Sequence, residues 1–174
     1  MVTNVETDDP NSSTGKLEFS PPTNRDGLKV HRLIAACPPL DPNSAYCNLL
    51  QCHHFADTSV KVEMNGEIVG FISGYIPPNE PEVLFIWQVA VSEKARGMGV
   101  GRRMLTHLMD RPACKNVRYM HTTVTPDNKA SLAMFASYAR SANADVSERV
   151  LFDKNDHFEG QHDSEVLFSI GPVR

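Results

Sequence analysis

The 174-residue chain lacks the features that would direct it to a membrane, a nucleic acid or an oxidising compartment. No run approaches the roughly 18 apolar residues that a spanning helix requires. No apolar stretch follows a basic start, as a secretory signal would demand. There is no block of Lys or Arg and the formal net charge is -4, so a nucleic-acid partner has little electrostatic support. Cysteine is scarce. Cys37, Cys47, Cys52 and Cys114 stand at irregular spacing with no CxxC pair, which reads as reduced thiols in the cytoplasm. Histidine is less rare, but His53 and His54 are adjacent and point to different helix faces, so they make no HxxxH-type site. His121, between apolar and Thr neighbours, reads as a satisfied strand histidine. These absences predict a soluble cytoplasmic protein with no metal, no membrane and no nucleic acid.

Apolar periodicity is also missing from Met1 to about Asp26, a stretch rich in Thr, Asn, Ser, Asp and Pro. Such a segment buries too little surface to offset its ordering entropy, so residues 1–26 are expected to form a flexible polar tail. Residues 27–174 have globular composition and suit one domain. Leu28–Ile34 alternates apolar and polar residues, which predicts a half-buried strand. Asp41 or Asn43 then caps a short helix from about Ser44 to His54. Strands follow at Ser59–Glu63 and Glu67–Tyr75, joined by Asn65-Gly66, a strong type I′ hairpin signal. Val83–Val91 (VLFIWQVAV) is almost wholly apolar and reads as a central strand covered on both faces. Helices are expected near Val100–Met109 and Lys129–Ala142, and strands near Val117–Val124, Val146–Asp153 and Glu165–Ile170. The order predicts a single mixed α/β layer fold.

Between the central strand and the helix from Val100 lies Arg96-Gly97-Met98-Gly99-Val100-Gly101. Glycines let a backbone turn tightly and point several N–H groups into one concavity, and the following helix adds the positive end of its dipole. Together they suit a pyrophosphate. A phosphate-binding P-loop would need Gly-Lys-Ser/Thr after its glycines, and here Arg102 and Arg103 follow. A dinucleotide loop would read Gly-x-Gly-x-x-Gly, a different spacing. The pattern Arg96-x-x-Gly99-x-Gly101, with Val91-Ser92-Glu93-Lys94-Ala95 before it and Asn128-x-x-Ser131 after it, resembles the GCN5-related N-acetyltransferase superfamily over about Leu28 to Ile170.

That resemblance implies a mixed, mostly antiparallel sheet flanked by helices and acetyl-CoA as co-substrate. It implies that the central strand splays from its neighbour and that Val89, Ala90 and Val91 hold the pantetheine arm through main-chain hydrogen bonds. An N–H near Val89 then polarises the thioester carbonyl. Backbone groups of Arg96, Gly97, Met98, Gly99, Val100 and Gly101 take the pyrophosphate, and Asn128 and Ser131 face the cofactor. The family's usual leaving-group acid is a Tyr, and Phe135 stands at the matching position. Tyr138, three residues on, either replaces that acid or merely packs.

Four further segments resemble the diaminobutyrate acetyltransferases of ectoine biosynthesis. They are Leu40-Asp41-Pro42-Asn43-Ser44-Ala45-Tyr46, Leu49-Leu50-x-Cys52-x-His54-Phe55, Phe85 to Val91, and His157-Phe158-x-Gly160-x-His162-Asp163-x-Glu165. The implied reaction acetylates the 4-amino group of L-2,4-diaminobutyrate, and the implied assembly is a homodimer. The substrate carries two ammonium groups, so one must lose a proton before attack. Glu165 is the candidate base, against an edge-strand carboxylate. His162 either orients the amine or is a surface-loop histidine. Asp41 and Tyr46 can bind the second ammonium, or Asp41 only caps a helix. Trp87 either packs in the core or offers its ring face to the cation. Rival readings are an acetyltransferase for another small amine or a peptide N-terminus, and a CoA-binding module without turnover.

Overall fold

The computed structural model describes residues 15–173. In chain order these form β1 (Leu17–Ser20), α1 (Gly27–Ala35), α2 (Ala45–His54), β2 (Val60–Met64), β3 (Glu67–Tyr75), β4 (Val83–Val91), α3 (Val100–Met109), β5 (Tyr119–Val124), α4 (Lys129–Ser141), β6 (Val146–Phe152) and β7 (Glu165–Ile170). The described strands make one seven-stranded sheet in the order β1-β2-β3-β4-β5-β7-β6. Only β4 and β5 run parallel; every other neighbouring pair is antiparallel. The mixed, mostly antiparallel sheet flanked by helices is therefore as expected.

Helices cover both faces of this sheet, and each face has its own core. Phe71 and Ile72, neighbours on β3, point to opposite sides. Ile72 joins Leu84, Ile86, Met104, Leu105, Leu108 and Phe135 under α3 and α4. Phe71 joins Val30, Leu33, Ile34, Cys52 and Ala90 under α1 and α2. The Asn65-Gly66 hairpin is present, with positive φ at both residues (53° and 79°).

Three expectations require correction. Leu28–Ile34 is helical, inside α1, and not a strand. Its buried residues Val30, Leu33 and Ile34 have i, i+3, i+4 spacing, whereas Leu28 is half exposed. Full burial of each is worth about 1.5–3 kcal/mol, which outweighs the few tenths that separate helix from strand preference at these residues. The helix α2 is capped by Ser44, whose hydroxyl accepts the Cys47 N–H at 3.1 Å, and not by Asp41 or Asn43. The expected tail is too long: β1 pairs antiparallel with β2, Leu17 opposite Met64 and Ser20 opposite Lys61. Residues 1–14 of that tail lie outside the described residues.

Candidate active site

The sheet opens at β4. Pairing with β5 runs from Val83↔Tyr119 to Ile86↔Thr122 and stops there. The last tie is the Thr122 hydroxyl, which donates to the Ile86 carbonyl at 3.1 Å. Beyond it β5 continues along β7, while β4 continues along β3 with Gln88↔Ser73, Val89↔Ile72, Ala90↔Phe71 and Val91↔Gly70. The second half of β4 thus has one open edge, where alternate N–H and C=O groups face a gap. The β3–β4 register slips at the same place, from Gly74↔Ile86 to Ser73↔Gln88, so Trp87 is the extra residue of a bulge. Bulges re-aim side chains, and Trp87 is 45% exposed. The expectation of a strand covered on both faces therefore fails after Ile86, where Gln88, Val89 and Val91 are only half-buried. Burial patterns of single residues carry no sign of where a neighbouring strand ends.

At the far end of β4 the glycine-rich turn leads into α3. Gly97 and Gly99 have φ of +76° and +67°, and a Cβ at either would meet nothing. Their role is conformational, since L side chains rarely adopt that region. Gly99 also stands at the N-cap of α3, where no side chain caps the helix. The first-turn N–H groups are therefore available to an anion. Gly101 is different: it is helical, and a Cβ there would stand 2.4 Å from Met134 Sδ on α4. It permits close approach of two helices. Val100 points into the core, Met98 packs against it, and the exposed Arg96 pairs with Glu93 at 3.3 Å. Open backbone edge, left-handed glycine turn and uncapped helix start together fit a pantetheine arm ending in a pyrophosphate.

A cleft of about 450 Å³ lies between the open ends of β4 and β5. Trp87, Gln88 and Val89 line it from β4, and Thr123 and Thr125 from β5 and the turn after it. Asn128, Ser131 and Phe135 enter from α4, where Asn128 caps the helix by accepting the Ser131 N–H at 3.1 Å. Asp41 and Asn43 come from the α1–α2 loop, and His162 and Glu165 from the β6–β7 loop and the start of β7. Among the described residues three carboxylates (Asp41, Asp127 and Glu165) line the cleft, and no Lys or Arg does. Such a site attracts cations.

The β6–β7 loop is internally braced. Asp153 Oδ1 accepts N–H bonds from Asn155 and Asp156 at 2.7 and 3.2 Å, and Lys154 pairs with Asp163 at 3.1 Å. The Phe158 ring lies 4.8 Å from that of His162. His162 Nδ1 is 2.7 Å from the Asp163 carbonyl. A carbonyl only accepts, so Nδ1 carries the hydrogen and Nε2 of the neutral ring is left as an acceptor.

The structure thus brings Asp41, Trp87, His162 and Glu165 to one cleft. It does not bring Tyr46 or Tyr138 there. Tyr46 is on the first turn of α2, 69% exposed and outside the cleft lining. Tyr138 is 4% exposed, buried in the core and outside the cleft lining, whereas Phe135 reaches the cleft. Residues 135 and 138 are three apart, about 60° around the helix axis, enough to send one to the cleft and the other inward. Gln88, Asn43, Asp127 and Thr123 were missed by sequence reasoning, since an isolated amide, acid or hydroxyl has no spacing signature.

The cysteines line no part of the cleft. Burial pushes the Cys52 thiol up to about 12 and also raises those of Cys37 and Cys47. Among the described residues no His, Cys, Asp and Glu side chains cluster as a metal site, and no helix is long and apolar enough to cross a membrane.

Residues 28–139 match the model of the Acetyltransferase (GNAT) family. An L-2,4-diaminobutyric acid acetyltransferase of Methylotuvimicrobium alcaliphilum is 49% identical over 91% of this chain and 92% of that protein. One from Bordetella parapertussis is 46% identical over 92% of this chain and 87% of that protein. Among solved structures, the diaminobutyrate acetyltransferase EctA from Paenibacillus lautus, in complex with L-2,4-diaminobutyric acid and coenzyme A, superposes with a TM-score of 0.87. It is 40% identical, with 92% of this chain and 97% of that chain covered. The ribosomal-protein-S18-alanine N-acetyltransferase from Escherichia coli shares the fold alone, at a TM-score of 0.64 and 16% identity. An acetyl-CoA-dependent N-acetyltransferase, the chain belongs to the Acetyltransferase (GNAT) family, among its diaminobutyric acid acetyltransferases.

Proposed function

We propose that the chain transfers the acetyl group of acetyl-CoA to the 4-amino group of L-2,4-diaminobutyrate, by direct attack in a ternary complex, as a step of ectoine biosynthesis. The observation that carries this reading is the convergence of Asp41, Trp87 and the His162–Glu165 pair, from three separate segments, on one acidic cleft at the open edge of β4. Acetyl-CoA lies along Val89–Val91, its pyrophosphate at the turn from Arg96 to Gly101 and its arm beside Asn128 and Ser131. The thioester then reaches the cleft, where an N–H near Val89 polarises its carbonyl. Phe135 packs beside it.

Asp41 pairs with the ammonium that does not react, and the Trp87 face receives the cation. Glu165 takes the proton from the attacking amine, directly or through a water, and Nε2 of His162 accepts a hydrogen bond from the same nitrogen. An amine of pKa near 10 is about 0.1% free at pH 7, a barrier contribution of about 4 kcal/mol. A base placed at the reaction centre offsets part of this, and an aligned oxyanion donor is worth about 3–4 kcal/mol more. The thiolate leaves without obligatory protonation because a Cys-like thiol has pKa near 8.5, so the loss of the family's usual Tyr is tolerable. Acetyl transfer through Cys47 or Cys52 is disfavoured by their raised thiol pKa values and their position outside the cleft.

Incubation with acetyl-CoA and diaminobutyrate, followed by NMR of the product, tests the reading. It expects N4-acetyl-diaminobutyrate, with little product from lysine or a peptide N-terminus. The absence of any Lys or Arg in the cleft lining favours one rival, a diamine without a carboxylate, and faster turnover of putrescine than of diaminobutyrate would establish it. We place the protein in the cytoplasm, where its four free thiols stay reduced. We place it there as a homodimer, formed through the edge strand β6, whose Val146, Val150 and Phe152 are exposed. Sedimentation equilibrium expects twice the chain mass, and a lower mass for Val150→Glu.

A further inference from the structure

We propose that Gln88 is a positioning residue for the amine half of the site: it clamps the α1–α2 loop over the cleft and so sets Asp41 against Trp87. The inference rests on the reading of Asp41 and Trp87 as amine-binding groups.

The α1–α2 loop needs an anchor. Among the described residues, no backbone–backbone hydrogen bond holds Asp41, Pro42 or Asn43. Asp41 and Pro42 are exposed and Asn43 is half-buried. Two side-chain bonds supply the tie, and both end on Gln88. Its Nε2 donates to the Asp41 carbonyl at 2.9 Å, and its Oε1 accepts from Asn43 Nδ2 at 2.9 Å. The orientation of the amide is fixed by chemistry. A backbone carbonyl only accepts, so Nε2 must face Asp41 and Oε1 is left for Asn43.

Gln88 is also the residue after the Trp87 bulge, in a stretch of β4 still paired to Ser73 of β3. The clamp therefore joins the residue that carries one carboxylate of the cleft to the chain neighbour of Trp87, which lines the same cleft. A carboxamide is required at this position. A Glu would turn an oxygen toward the Asp41 carbonyl, and an Asn, shorter by one methylene, would not span both partners. Neither bond consumes the Asp41 carboxylate, which stays available to a cation.

The test compares wild type with Gln88→Met, which keeps length and volume but makes neither hydrogen bond, and with Gln88→Glu. Two bonds at about 1 kcal/mol each predict a rise of about 10- to 30-fold in KM for diaminobutyrate. The KM for acetyl-CoA should stay within about twofold, and kcat should change far less than the amine KM. Amide hydrogen exchange of the peptide spanning residues 40–44 should accelerate, with exchange in β5 and β7 unchanged. Combined with Gln88→Met, Asn43→Ala should add less than it does alone, because the two share one bond. Unchanged loop exchange would overturn the clamp, as would equal rises in both KM values. Faster exchange with an unaltered amine KM would overturn the positioning role. Should Gln88→Met fail to fold, Asn43→Ala removes one bond from the loop side and is read in the same way. Inactivity of the wild type toward diaminobutyrate would remove the amine reading itself; the exchange measurement needs no substrate and separates the two failures.

Discussion

Glu165 and His162 enter the cleft three positions apart, one at the root of β7 and one in the braced loop before it. That placement separates their roles. Glu165 sits at the start of β7, an internal strand, where its position is set by pairing with Phe152, and His162 depends on the loop and on the Phe158 ring. Replacing Glu165 by Gln should lower kcat/KM by about 10²- to 10⁴-fold, the usual range for losing a general base. The residual rate should rise about tenfold per pH unit up to the pKa of the amine, because attack would then depend on amine already free in solution. Initial rates across pH 6–10 check this, and a pH profile parallel to that of wild type would remove Glu165 from the role. At this scale the sequence was legible where a residue lay within a segment that resembles its family. Asp41, Trp87, His162 and Glu165 were readable in that way. Tyr46 is the exception, within such a segment yet outside the cleft, and Tyr138 lies in none; the direction of a ring on a helix depends on which face the helix buries.

Elements were legible where one physical signal stood alone. The spans of β3, β4, α3 and β7 follow from apolar runs and turn residues and agree with expectation to the residue. The opening of the sheet did not follow, because the departure of β5 after Thr122 is a pairing between distant segments and leaves no local mark. Nor did α1, where Leu28-Lys29-Val30 alternates like a strand. The glycine turn was legible as a motif, but its glycines divide by function only in the structure. Gly101→Ala should therefore act on stability and not on the phosphate cradle. The added methyl meets Met134, and such overpacking costs about 1–3 kcal/mol. Urea unfolding should show that loss, and Met134→Ala in the same background should recover most of it. Gly99→Ala, by contrast, strains a left-handed residue in open space, so it should raise the KM for acetyl-CoA. If Gly101→Ala and Gly99→Ala gave the same balance of stability and cofactor KM, this division of labour would be wrong.

On the scale of the whole molecule, the stretch expected to be a tail helps to hold the fold together. After β1 the chain turns through Thr23 and Asp26 into α1, and Asp26 is almost wholly buried. Its carboxylate accepts from the Thr23 N–H at 2.8 Å and hydroxyl at 3.0 Å, and meets Lys61 of β2 at 3.2 Å. Lys61 also pairs with Glu63 at 3.0 Å. Burial disfavours the charge on both groups, but the hydrogen bonds and the pairing prevail, so Asp26 titrates below its ordinary value and Lys61 above. The signs are opposite in effect. The Asp26 contribution is complete above the unfolded value near 3.9 and fades as pH falls through its lower folded value. The Lys61 contribution is complete below about 10.4 and fades as pH rises through its higher folded value. Asp26→Asn should cost about 2–4 kcal/mol at pH 7, near the lower end for breaking a buried pair because Glu63 remains with Lys61. That difference should shrink as acid protonates the wild-type carboxyl. Urea unfolding of both proteins at pH 7 and near pH 3 measures it. An equal loss at both values would assign the effect to packing, since a neutral carboxyl and a carboxamide differ little in shape.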